Sequence, residues 1–492
     1  MASSSEPQQQ HFILFPFMAP GHMNPMIDIA KLLAQQGVII TIITSPINAN
    51  RFKQTLNRSI NSGLQINLLE LEFPAQATGL PKDCENFDML SSLGLANEFF
   101  FATNLLQNPV EKLLQEIKPR PNCIISDINL AYTSRVATNL RLPRIVFSGV
   151  CCFFMLCLRG IYESGVLERV NSESEYFSIP GLHHHIELTK QQLPMALFKG
   201  IGAPFSAEVA AAEKVTCGII MNSFQELEPE YVHEYQNLKP DYKVWCIGPV
   251  SLTNKHNLDM IQRGNNAQES DECFKWLNKQ KPGSVIYVCF GSICNLVTSQ
   301  LIELALGLEA SDKSFIWVIK GGEKSSELEK WIEEGFEERT RGRSLIIRGW
   351  APQLAILSHV AIGGFLTHCG WNSTLEAISA GVPMITWPLF ADQFCNEKFV
   401  VDVLKVGVKV GTEVTVAWGE EDKIGVLVKK EDVMKAVEKL MDEGEESEER
   451  RRRVKELSVK AKRAVEEYGS SYLKLKELIE DIKLQAATTS PA

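Results

Sequence analysis

The sequence predicts an α/β protein of two doubly wound units, each a mostly parallel sheet covered by helices on both faces. Three observations carry this. Continuous apolar, β-branched runs such as "VIITIIT" (38–44) suit strands buried on both faces. Such runs alternate with segments of helical period. The alternation then stops at a polar stretch with little periodicity, "PVSLTNKHNLDMIQRGNNAQESDE" (249–272), and restarts at 284. That stretch reads as a linker.

Taken in order, "HFILFPF" (11–17) is a strand, "MAPGHMNPM" a loop, and "MIDIAKLLAQQG" a helix with a glycine stop. "VIITIIT" is the second strand, and "NCIISD" (122–127) and "RIVFS" (144–148) are further short ones. In the second unit "SVIYVCFGS" is a buried strand ending in Gly-Ser, and "SQLIELALGLEAS" a helix. "SFIWVI", "SLIIRGW", "GGFLTH", "PMITWP" and "VGVKV" are strands, with helices from Ser373 and over 393–404. The run "DEGEESEERRRR" (442–453) is a solvated loop and helix start, and a last helix follows Gly469.

Composition narrows the function classes. Hydrophobic residues make up 45% of the 492, so sizeable cores can be buried. The formal net charge of −10, with no long basic segment, disfavours nucleic acid, whose binding rests on neutralising phosphates. The start "MASSSEPQQQ" lacks the basic and apolar regions of a secretory signal. "VCCFFMLCL" (150–158) is too short to span a bilayer and reads as buried core. The twelve cysteines are scattered without a zinc-type pair of C-x-x-C motifs, which suits reduced thiols in a cytosol. His183-His184-His185 reads as a solvated loop. The expectation is a cytoplasmic monomer without nucleic-acid or membrane partners and without a metal.

The chemistry concentrates at strand ends. In "GFLTHCGWNSTLEAISAGVP" (364–383) Ser373 and Glu376 have capping-box spacing, and Gly381 supplies the helix stop. That bland reading leaves His368, Trp371 and Asn372 unexplained. A helix N-terminus suits a phosphate, Gly370 permits close backbone approach, and His368 can donate to the same oxygens. An open parallel sheet binds ligands at its carboxyl strand ends. Upstream, "GWAPQ" (349–353) offers Trp350 as core or as a stacking platform, and Gln353 to read a base edge. Downstream, "WPLFADQ" (387–393) sets Asp392 and Gln393 side by side, suited to sugar hydroxyls. Base-, phosphate- and hydroxyl-type chemistry on three consecutive strand ends describes a nucleotide sugar. In the first unit, His22 follows the first strand and Asp127 ends "CIISD". A histidine in a loop is usually structural, yet a strand-end His and Asp make a plausible dyad.

Trp350 through Gln393 resembles the 44-residue signature of plant family 1 glycosyltransferases, through W-A-P-Q, H-C-G-W-N-S, the glutamate three residues on, and the final D-Q. The resemblance extends over nearly the whole chain and is nearest to the clade glycosylating terpenoids, steroids and flavonoids. It implies a GT-B fold: an acceptor-binding domain (1–248), the linker (249–272), a UDP-sugar-binding domain (273–465), and a C-terminal helix packing back on the first domain, with a disordered tail (466–492). It implies Trp350 on uracil, Ala351 and Gln353 at base and ribose, and Glu376 on ribose hydroxyls. His368, Asn372 and Ser373 would hold the diphosphate, with Ser292 touching it, and Trp371, Asp392 and Gln393 would face the sugar. His22 would be the base and Asp127 its partner.

The expected reaction is inverting and metal-independent: His22 takes the acceptor proton, C1 is attacked opposite UDP, and the helix end and His368 stabilise the leaving diphosphate. No Asp-x-Asp pair lies near the site. UDP-glucose is the expected donor, because the resembling family usually ends its signature in Gln for glucose, and residues 350–393 hold no Lys or Arg for glucuronate. A Rossmann dehydrogenase would show G-x-G-x-x-G and a hydrolase G-x-S-x-G; neither occurs at the places they require. A non-catalytic nucleotide-sugar sensor would lack the His or Asp. The acceptor pocket is expected from 78–100, 147–160 and 180–205, where Phe99, Phe100, Phe153, Phe154 and Phe198 could be walls or ordinary core.

Overall fold

The computed structural model describes residues 9–194, 203–238, 242–254, 267–319, 325–416 and 418–489. In chain order the strands are β1 (His11–Phe15), β2 (Ile39–Thr44), β3 (Ile66–Glu70), β4 (Cys123–Asp127) and β5 (Arg144–Ser148). A short antiparallel pair follows, β6 (Phe177–Ser178) and β7 (Glu187–Leu188), then β8 (Gly218–Met221) and β9 (Lys243–Cys246). The second unit holds β10 (Val285–Cys289), β11 (Ser314–Ile319), β12 (Ser344–Arg348), β13 (Ile362–Thr367), β14 (Met384–Thr386) and β15 (Gly407–Lys409). They build a seven-stranded sheet in the order β3-β2-β1-β4-β5-β8-β9 and a six-stranded one in the order β12-β11-β10-β13-β14-β15. Every pairing in both is parallel. Short connections cannot make parallel neighbours, so helices cross over between strands and bury both faces. β3, β8 and β9 were not foreseen: β3 is a partly exposed edge, and β8 and β9 have four residues each.

Two helix starts differ from expectation, and both bear on the site. The helix after β1 begins at Pro20, not Met26, and runs to Gln35. Proline in the first turn forfeits no intrahelical bond, and its fixed φ suits a helix start. His22 therefore stands in a first helical turn and not in a loop. Pro25 lies inside this helix and has no N–H for the carbonyl of Gly21 four residues back. The second helix, after β13, spans Trp371–Ala380 and begins before Ser373; its N-cap is Gly370, with no side-chain cap. Ser373 is thus a first-turn residue, and no capping box forms. Gln353 Nε2 instead donates to Ser373 Oγ (3.1 Å) and Glu376 Oε2 (2.8 Å). The stop at Gly381 is as expected, with φ +76°.

The two sheets share one hydrophobic cluster: Phe153 from the first half stacks on Phe399 from the second (centroids 5.0 Å). The helix Cys152–Ser164 that carries Phe153 is the buried form of "VCCFFMLCL". Within 249–272, residues Val250–Thr253 form a 3₁₀ turn and a helix starts at Ala267, while 255–266 lie outside the described residues. The last helix, Ser470–Thr489, buries Leu475, Leu478, Ile479 and Ile482 in the core of the first sheet. Its Asp481 accepts from Trp245 Nε1 at 3.2 Å. All twelve cysteines are free thiols. Among the described residues no helix is long and apolar enough to cross a membrane, and no three His, Cys, Asp or Glu side chains cluster as metal ligands. Within the histidine triplet, His184 Nδ1 pairs with Tyr231 OH at 2.7 Å.

Candidate active site

In each sheet the chain reverses its direction of strand addition once, between β1 and β4 and between β10 and β13. At such a switch point the neighbouring crossovers run to opposite faces and leave a crevice at the carboxyl ends. His22 and Asp127 stand at the first of these points, Ser292 and His368 at the second.

At the first point His22 Nδ1 donates to Asp127 Oδ2 at 2.8 Å. Asp127 is fully buried, and Asn129 N donates to its Oδ1 at 2.9 Å. The His22 side chain keeps 29% exposure. The backbone at Gly149 passes beside the ring, close enough that a Cβ there would stand in ordinary van der Waals contact with it at 3.5 Å. Burial pulls the imidazole pKa down, but the charge and hydrogen bond of Asp127, with Asp392 beyond, more than offset that and hold it above 6.5. The bond to Asp127 fixes the proton on Nδ1, so the Nε2 lone pair is free to accept a proton.

At the second point His368 sits between two glycines. A Cβ on Gly291 would stand 2.8 Å from its Cε1, and a Cβ on Gly370 would overlap its Nε2. Burial lowers its pKa to about 4, so the ring is neutral at pH 7, and its buried Nδ1 has no partner among the described residues. Ser292 is exposed in the turn that follows β10 and Gly291. Cys369, between His368 and Gly370, holds φ +64°, and Ala391, beside Asp392, holds φ +55°. Left-handed backbone at non-glycine residues tends to cluster at functional loops. Trp350 is 38% exposed, whereas Ala351 next to it in the chain is buried. Gln353, Ser373 and Glu376 form the hydrogen-bonded group described above.

Three signature residues hold positions that sequence could not indicate. Trp371 is 2% exposed, and its Nε1 donates to the Asn222 carbonyl across the cleft at 2.8 Å. Gln393 Oε1 accepts from Leu389 N (2.8 Å) and Phe390 N (3.1 Å). The Gln393 oxygen thus ties down its own loop, and Nε2 is left to donate to a sugar hydroxyl. Asp392 accepts from Asn396 Nδ2 at 2.7 Å, and burial raises its pKa to about 6 against that bond and the nearby His22.

An aromatic cluster adjoins the dyad. Phe17 meets His22 edge-on (centroids 5.4 Å) and stacks on Phe100 (5.7 Å), which stacks on Phe205 (3.8 Å). Phe87 packs on Phe100 (5.8 Å) and on Trp418 of the second half (5.9 Å). Phe99 and Phe153 are fully buried core, Phe154 is buried too, and Phe198 lies outside the described residues. Sequence reading missed Phe17, Phe87 and Trp418, as well as Asn222 and Asn396. Asn222 directly follows the unforeseen β8, and a recognised strand there would have marked it as a strand-end residue.

The chain matches the family "Glycosyltransferase, N-terminal domain" over residues 9–252 and "UDP-glucoronosyl and UDP-glucosyl transferase" over residues 252–450. It is 57% identical over 476 residues to UDP-glycosyltransferase 73C3 of Arabidopsis thaliana, covering 96% of each chain. It is 53% identical over 476 residues to UDP-glycosyltransferase 73C11 of Barbarea vulgaris, again 96% of each. UGT73P12 of Glycyrrhiza uralensis, complexed with glycyrrhetinic acid 3-O-monoglucuronide, superposes with TM-score 0.90 at 37% identity, over 98% of this chain and 97% of that one. UGT71G1 of Medicago truncatula, complexed with UDP-glucose, superposes with TM-score 0.77 at 26% identity, over 97% and 99%.

Proposed function

This chain belongs to plant family 1 of the UDP-glycosyltransferases, within the 73C group, and from that premise we propose that it transfers glucose from UDP-glucose to a hydroxyl of a small lipophilic plant metabolite, a triterpenoid, steroid or flavonoid. Its paired sheets are the GT-B fold of the plant structures, and the enzyme is a hexosyl-transferring UDP-glycosyltransferase. It works as a cytoplasmic monomer.

The acceptor oxygen docks beside His22 Nε2, against the aromatic face of Phe17 and Phe100. As that oxygen bonds to C1 of the sugar, its proton passes to Nε2, and Asp127 stabilises the imidazolium. The C1–oxygen bond to UDP breaks on the opposite face, so configuration inverts. Charge gathers on the diphosphate at the N-terminus of the helix Trp371–Ala380, beside neutral His368, Asn372, Ser373 and Ser292. Trp350 stacks on uracil, with Ala351 and Gln353 at base and ribose and Glu376 on ribose hydroxyls. Asp392 accepts from sugar hydroxyls and Gln393 donates to one, while Trp371 closes the sugar end. No step calls on a metal ion.

The observation that carries this reading is the hydrogen-bonded His22–Asp127 pair at one switch point, joined across the cleft to the signature helix at the other by the bond from Asn372 Nδ2 to Gly21 O. The test is incubation of the full chain with hydroxylated aglycones and equimolar UDP-glucose, UDP-galactose and UDP-glucuronate, with and without EDTA, followed by product mass and anomeric configuration. A β-glucoside formed in EDTA is expected. Preference for another sugar, retention at C1, or strict dependence on magnesium or manganese would overturn the corresponding part.

A further inference from the structure

Four groups form a hydrogen-bond chain that runs from the interdomain crossover to the helix carrying His22. Val250 N donates to Asn222 Oδ1 at 3.0 Å. Asn222 Nδ2 donates to Asn372 Oδ1 at 3.2 Å, and Asn372 Nδ2 donates to Gly21 O. Asn222 is 3% exposed.

Both ends of this chain have a fixed polarity. A backbone N–H can only donate, so Val250 forces the oxygen of Asn222 toward itself and turns the Asn222 NH₂ toward Asn372. At the other end Pro25 has no N–H, so the Gly21 carbonyl lacks its intrahelical donor and can only accept. An asparagine amide placed between a donor and an acceptor has one orientation that satisfies both. Asn372 therefore points its NH₂ at the helix of His22. That group has two N–H bonds: one goes to Gly21, and a second is available for the donor diphosphate.

We propose that Asn222 is a positioning residue for the donor site: it locks the Asn372 amide with its N–H groups toward the cleft, so that Asn372 binds the diphosphate without first having to select an orientation. The inference rests on the reading of Asn372 as a diphosphate ligand. Without Asn222 the Asn372 oxygen loses its donor and the Gly21 carbonyl alone still orients the amide, so orientations that present oxygen to the phosphates become accessible.

UDP binding to the full chain, measured by calorimetry, tests this in a cycle of variants. Asn372→Ala is combined with Asn222→Ala and, separately, with Asn222→Asp. The aspartate variant preserves shape and the acceptor for Val250 while removing the donor to Asn372, so the test survives if the alanine variant folds poorly; thermal unfolding checks both. Any general effect of the substitution at 222, added charge included, is common to each pair and cancels. Asn372→Ala should weaken UDP binding about tenfold in the native background, the scale of one hydrogen bond to a charged group, and by less than twofold in either Asn222 variant. An equal loss in all three backgrounds would overturn the positioning role and leave the donor-site reading intact. No loss in the native background would show that Asn372 is not a diphosphate ligand, and the positioning role would fall with it.

Discussion

His22 Nδ1 and Asp127 Oδ2 lie 2.8 Å apart although 105 residues separate them in the chain. The parallel pairing of β1 with β4 makes this contact, by bringing the two carboxyl ends together at the switch point of the sheet. The pair sets both the tautomer and the basicity of the ring.

His22→Ala should lower kcat for an aliphatic alcohol acceptor by roughly 100- to 10,000-fold, the usual span for a general base. UDP affinity should stay near the native value, because the donor contacts lie on the other sheet. A phenol ionises readily and should be affected less. Steady-state kinetics with both acceptor types, beside calorimetry with UDP, measure this; an unchanged aliphatic rate would remove His22 from the mechanism.

The base must be neutral to accept a proton, and the His22 pKa is raised in the folded protein. Activity should therefore rise with pH along an acidic limb centred above 6.5. Replacing Asp127 with Asn deletes the larger of the two charges that raise the pKa and leaves burial, which lowers it, against the weaker pull of Asp392. The limb of Asp127→Asn should move to lower pH while kcat falls, because the ring also loses its imposed tautomer. A pH profile of kcat/KM for the acceptor that does not move would contradict this.

Gly370→Ala should damage the donor site directly. Its Cβ would overlap His368 Nε2, and the ring is already confined on its other side by Gly291. Overpacking of this kind costs about 1–3 kcal/mol. The expected result is a lower midpoint of thermal unfolding together with weaker UDP binding; native values of both would mean that the ring has room to retreat.

Gln393→Glu separates the two ends of one side chain. The oxygen that accepts from Leu389 N and Phe390 N is kept, and the Nε2 donor is lost. Turnover with UDP-glucose should fall about 10- to 100-fold at a buried polar contact, with UDP affinity little changed. Gln393→His, which loses the loop bonds as well, should weaken UDP-glucose use further and admit UDP-galactose in competition. Native turnover in Gln393→Glu would take Nε2 off the sugar.

Short-range order was legible in the sequence. A buried strand, a glycine turn and an amphipathic helix are each written in consecutive residues, so "RIVFS" and "SFIWVI" were found to the residue, as was the Gly381 stop. The residue types of the signature also declared their chemistry before any coordinate did. The tertiary structure decided what those groups are bonded to. Ser373 and Glu376 have the spacing of a capping box, yet Gln353, twenty residues before Ser373, takes both side chains. Gln393 carries a donor and an acceptor in any sequence, but only the folded loop shows that the acceptor is already occupied. Asn222 gave no signal of its own, because its role exists only where the end of β8 meets the signature helix. The physical reason is that propensity and periodicity act over a few residues, whereas a hydrogen bond has one partner, and in this molecule that partner often stands a hundred or more residues away.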